Sequence, residues 1–110
     1  KDFYDIWIVS RTLQFGGQEL SKSIQSTFER RETPIPTTPP AALTERFFDD
    51  PTHIRQWDAF VTRIDEPSLK EKLPTVIRAI TDFVMPPTIA AAQRKPLQLR
   101  WTPKGGWSSQ

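Results

Sequence analysis

The chain has 110 residues, 36% of them hydrophobic and 11% aromatic, enough for one modest core around four Trp and seven Phe. No run approaches the roughly 18 apolar residues that a bilayer span requires, and no signal-like segment opens the sequence, so a cytoplasmic protein with no membrane contact is expected. Cysteine is absent and His53 is the single histidine, which removes disulfides, thiolate metal sites, histidine clusters and most hydrolytic triads.

Residues 2 to 14 carry apolar side chains at positions 3, 4, 6, 7, 8, 9 and 13, nearly all round a rod, and predict a helix buried on most sides. Gly16-Gly17 is expected to end it, one glycine taking the left-handed conformation common at a helix C-terminus. Leu20, Ile24 and Phe28 form a narrow stripe that predicts a surface helix over residues 18 to 31. Four prolines between Thr33 and Pro40 forbid helix and favour an extended connector, with a ligand for a proline-recognising domain as the alternative. Thr44 reads as an N-cap for a short turn over residues 45 to 49, and Asp50-Pro51 as the cap and first residue of the next helix. Along that helix Ile54, Trp57, Phe60, Val61 and Ile64 make an apolar face. The segment from Asp65 to Ser68 breaks it.

A further helix is expected from Pro74 to Met85, with Val76, Ile77, Ile80, Phe83 and Val84 on its buried side and Pro86-Pro87 as its stop. Residues 88 to 95 then suit a last short Ala-rich helix. Beyond Pro96 there is no helical period. Arg94, Lys95, Arg100 and Lys104 are the charged side chains beyond Asp82, so the C-terminal stretch is the basic one. Trp101, with Trp107, interleaves with Arg100 and Lys104 either as a small stacking platform for single-stranded nucleic acid or as indoles that dock the tail onto the helices. Arg30 and Arg31 either complement a helix C-terminus or contact RNA phosphate.

The opening residues Lys1-Asp2-Phe3-Tyr4-Asp5 place two carboxylates at i,i+3 and an ammonium at i,i+4, with Phe3, Ile6 and Trp7 turned toward a core. Acids in a first turn also simply favour the helix dipole. Lys-Asp-x-x-Asp followed by the apolar run Ile6-Trp7-Ile8-Val9 resembles the last signature motif of the AbiEii/AbiGii-type nucleotidyltransferase toxins. The order of segments that follows, Phe15-Gly16-Gly17, Thr27 to Arg31, the Pro-rich stretch with Ala41 to Thr44, and Gln56 to Phe60, is similar to the C-terminal portion of such proteins as far as about Val84.

The resemblance implies that an intact protein of this kind transfers a nucleoside monophosphate from an NTP, with Mg²⁺, to an RNA acceptor, tRNA among them, in an abortive-infection or toxin–antitoxin setting. Asp2, Asp5 and Lys1 match the motif's carboxylates and lysine: a carboxylate there would activate the attacking hydroxyl or order Mg²⁺, and the lysine would neutralise phosphate charge. The Gly-Ser loop with paired aspartates that the family uses for the triphosphate is not among these residues, so an upstream nucleotidyltransferase domain is an expected partner, and this segment alone is expected to be silent. The reading is therefore an all-α bundle of four to six helices over residues 1 to 95, followed by an extended or disordered basic tail over residues 96 to 110. The rival is a non-catalytic helical module that packs on an antitoxin or another partner protein.

Overall fold

The computed structural model describes residues 2–67 and 70–109, Asp2 by its backbone alone. Five α-helices are described: α1 (Asp2–Thr12), α2 (Gly17–Arg30), the short α3 (Glu45–Phe48), α4 (Pro51–Thr62) and α5 (Leu73–Gln93), with a 3₁₀ turn at Ala41–Leu43 before α3. Strands β1 (Phe15–Gly16), β2 (Leu99–Thr102) and β3 (Gly106–Ser109) form a three-stranded antiparallel sheet in the order β1-β2-β3. The all-α expectation is thus corrected: the fold is helix-rich with a small sheet, and within the tail expected to be extended or disordered, residues 99–109 form a paired hairpin.

α5 is the axis of the molecule. Val76, Ile77 and Ile80 are almost fully buried, and Trp7 of α1, Phe48 of α3 and Trp57 of α4 close over them. Each buried side chain of this size contributes roughly 1.5 to 3 kcal/mol relative to exposure, so the α5 stripe is the main source of cohesion. Tyr4 ties α1 to α4, its ring 5.3 Å from Phe60 and 6.3 Å from Trp57. α4 begins as the sequence predicts. Pro51 opens the helix and the Asp50 carboxylate accepts from the N–H of Thr52 at 2.8 Å and of His53 at 3.3 Å, satisfying two orphan donors.

α5 does not stop at Pro86-Pro87. It runs to Gln93, because the residues after the prolines bury more than the prolines disrupt: Thr88, Ala90 and Ala91 are buried, and α5 packs against α2. Proline at 87 removes the helical donor for the carbonyl of Phe83, and the indole N–H of Trp107 takes its place at 3.0 Å. Arg94 ends the helix in the left-handed region at φ 54°, with its own N–H and that of Lys95 returning to Ala91 and Ala90.

Other local expectations also change. Gly16 is extended at φ −79°, pairing with Arg100 in the sheet, and Gly17 opens α2 rather than closing α1. The need for glycine at 17 is steric: a Cβ there would lie 2.8 Å from the Leu97 carbonyl oxygen. Thr44 gives α3 no side-chain cap and donates back to the Ala41 carbonyl at 2.6 Å, closing the 3₁₀ turn instead.

The sheet is held by aromatic rings. Cross-strand registers Phe15↔Trp101 and Trp101↔Trp107 put these three rings on one face, where Phe83 of α5 meets them at 5.3, 4.8 and 6.2 Å. Buried Trp101 also donates its indole N–H to the Ser10 carbonyl of α1 at 2.7 Å. Docking is therefore what both indoles do.

Candidate functional site

Asp5, the acidic-motif residue whose side chain is described, lies on the face of α1 turned away from the α5 core. Trp7 and Ser10 are buried on the inner side, whereas Asp5, Ile6 and Leu13 are exposed, Ile6 by 37% and Leu13 by 51%. The expectation that Ile6 points to the core is corrected: Trp7 occupies the inner position one residue on, which turns Ile6 outward by about 100°. Asp5 stands at the mouth of a groove of about 340 Å³ between α1 and α2, lined by Ile6, Val9, Leu20, Ile24, Phe83 and Val84 together with Phe15. Leu20 and Ile24 of the α2 stripe read from the sequence form one wall of this groove, whereas Phe28 lines a separate recess with Ile35 and Ala91. Lys1 and the Asp2 side chain lie outside the described residues.

A Mg²⁺ site usually draws on about six oxygen ligands in near-octahedral positions. Among the described residues no three His, Asp or Glu side chains converge to hold a metal ion. Asp5 by itself does not meet that requirement.

The cations singled out in the sequence do not form one patch. Arg30 and Arg31 are exposed at the C-terminal end of α2, while Arg100 pairs with Gly16 beside the N-terminal end of the same helix. Fourteen residues separate those ends, roughly 20 Å of helix. Lys104 is exposed in the turn between β2 and β3, and the Trp101 ring is buried beneath the sheet. Sequence reasoning missed a closer grouping: Lys22, Arg94 and Lys95, with Gln18 and Gln25, line a cleft between α2 and the end of α5. Only the continuation of α5 past Pro87 brings Arg94 and Lys95 there.

A second concavity lies on the other side of α1. Phe3, Phe47, Trp57, Phe60 and Leu73 wall a pocket of about 190 Å³, with His53 and Gln56 at its polar edge. The His53 ring stacks on Phe47 at 3.8 Å, and its Nδ1 lies 3.0 Å from the Phe47 carbonyl oxygen. A carbonyl only accepts, so Nδ1 carries the proton and Nε2 is the ring's remaining hydrogen-bonding position.

Taken together, the features define an α-rich module whose acidic N-terminal helix sits over an apolar groove, without a complete catalytic centre of its own among the described residues. Residues 1–93 match the family model described as "Nucleotidyl transferase AbiEii toxin, Type IV TA system". The chain belongs to this family, which gives it a nucleotidyltransferase-related, toxin-like role and an antitoxin as the counterpart in the system. Comparison with curated proteins and with solved structures finds no match. No helix among the described residues is long and apolar enough to cross a membrane.

Proposed function

We propose that this chain is the C-terminal helical part of a nucleotidyltransferase toxin that moves a nucleoside monophosphate from an NTP to an RNA acceptor, tRNA included. Asp2 and Asp5 are its contributed carboxylates and Lys1 its contributed cation, while the triphosphate cradle and the remaining oxygen ligands for Mg²⁺ belong to an upstream domain. The observation that carries this reading is the position of Asp5: the motif residue stands on the outward face of α1, beside exposed Ile6 and an apolar groove that a neighbouring lobe would cover. A carboxylate at such a junction would take the proton of an attacking hydroxyl, and the motif lysine would offset phosphate charge. Arg30, Arg31, Arg100 and Lys104, with Lys22 and Lys95, would then serve as separated phosphate contacts on the RNA.

The second reading, a non-catalytic module, is favoured by the same groove, whose lining is aliphatic and aromatic apart from Asp5. In that case the groove receives an antitoxin and the motif is only an N-terminal charge pair. The two readings part in one assay: the intact gene product incubated with each radiolabelled NTP and total RNA. Covalent label on RNA is the expected result. Absence of label with all four NTPs, from protein shown to be folded, leaves only the interaction module.

A further inference from the structure

We propose that the pocket between α1, α3 and α4 is a binding site for one nucleobase. The inference does not depend on the nucleotidyl-transfer reading, because it concerns a recess in this chain that contains none of the motif carboxylates. At about 190 Å³ the recess is below the 300 Å³ at which pockets for drug-sized ligands begin, so it suits a single ring system rather than a whole nucleotide. Its walls are rings: Phe3 from α1, Phe47 from α3, Trp57 and Phe60 from α4, with Leu73 of α5 behind them.

Stacking on such rings accommodates any base, since every base has a π face. What separates a base from a benzene-like guest is its polar edge, and the pocket supplies the counterpart. His53 is fixed by its bond to the Phe47 carbonyl and by stacking on the Phe47 ring, which leaves Nε2 as its hydrogen-bonding position toward a base. Gln56, exposed one helical turn further on, offers an amide that both donates and accepts. Trp57 does not compete for that edge: its indole N–H is committed to the Glu71 carbonyl at 2.7 Å. The base can come from a free nucleotide or from an unpaired position of RNA; the chemistry recognised is the same.

The test is an NMR titration of the 110-residue chain with the four nucleoside monophosphates, with ribose 5-phosphate, with phenol and with short single-stranded oligoribonucleotides, read at the His53 and Phe3 rings. Saturable shifts with the nucleotides, far smaller ones with ribose 5-phosphate and phenol, are expected. Phe3→Leu, which keeps apolar bulk but removes a ring, should weaken binding roughly tenfold, and the exposed Gln56→Ala severalfold. Oligonucleotides binding more tightly than mononucleotides would identify RNA as the source, and the reverse order would identify the nucleotide; both support the site. The proposal is overturned by an absence of shifts at these rings with every base-containing probe. It is equally overturned if ribose 5-phosphate or phenol binds as well as the nucleotides, or if both variants bind them like the parent chain.

Discussion

Trp107 donates its indole N–H to the Phe83 carbonyl oxygen at 3.0 Å, and that oxygen is the one whose helical donor is missing because residue 87 is proline. Hairpin and helix are therefore coupled through one acceptor. Trp107→Phe should cost about 1 to 3 kcal/mol, the penalty for a partly buried carbonyl left without a donor. In a Pro87→Ala background the backbone N–H at 87 can reach the same oxygen, so Trp107→Phe should cost less there. Urea unfolding of the four proteins measures the difference; a coupling of at least about 0.5 kcal/mol is expected, and equal costs in both backgrounds would break the link.

Gly17 and Gly16 are adjacent but should respond differently to alanine. At 17 a Cβ meets the Leu97 carbonyl oxygen at 2.8 Å and Leu97 Cδ2 at 2.9 Å, and the Leu97 N–H is itself held by Gln18 Oε1 at 2.9 Å. Backbone on backbone cannot yield cheaply. Gly17→Ala should destabilise by about 1 to 3 kcal/mol, whereas at 16 the obstacle is the movable Glu19 side chain and the loss should be smaller. Thermal unfolding of the two variants ranks them.

Asp50 makes α4 acid-sensitive. Its carboxyl is held below the ordinary aspartate value first by the Thr52 N–H and then by that of His53. Because the folded-state value is the lower one, the stabilisation is fully present above the unfolded-state pKa and is lost as pH falls through the folded-state value. Asp50→Asn keeps an N-capping side chain without the titration. Unfolding midpoints of parent and variant should therefore converge as pH is lowered through the carboxylate range; a constant gap would show that charge at 50 is irrelevant.

Arg94 occupies a position that glycine fits better. At φ 54° an L side chain is strained, and its ion pair with Glu29 at 3.5 Å joins two largely exposed groups that add little. Arg94→Gly should raise stability by about 0.5 to 1 kcal/mol, seen as a higher urea midpoint; a fall would mean that the ion pair outweighs the backbone strain.

The start and orientation of α4 were legible, because Asp50-Pro51 and the Trp57 face state them through purely local rules, but its end was not: Ile64, read as part of that face, lies past the last helical residue, Thr62. The sheet was not legible. Phe15-Gly16 is too short to show a period of two, and its partner Trp101 lies far along the chain, so the pairing exists only once α5 has carried residues 94–109 back to α1. A local signal was nevertheless present in Pro103-Lys104-Gly105-Gly106 between two tryptophans, a turn sequence with Gly106 at φ 68°. Pro86-Pro87 misled for the converse reason: the helical penalty of proline is local, while the packing of Thr88, Ala90 and Ala91 that offsets it is tertiary. The candidate site was half legible. Motif spacing placed Asp5 on the α1 face that is outward, but the groove beside it and the aromatic pocket are assembled from elements remote in sequence.

The most direct test of the whole account is label transfer from radiolabelled NTP to RNA by the intact gene product carrying Asp5→Ala, with Asp58→Ala on exposed α4 as a control acid outside the motif. Asp5→Ala should lower the transfer rate by roughly a hundredfold or more with an unfolding midpoint close to that of the parent, and Asp58→Ala should transfer normally. Transfer at the parent rate by Asp5→Ala would contradict the assignment of this helix to the reaction.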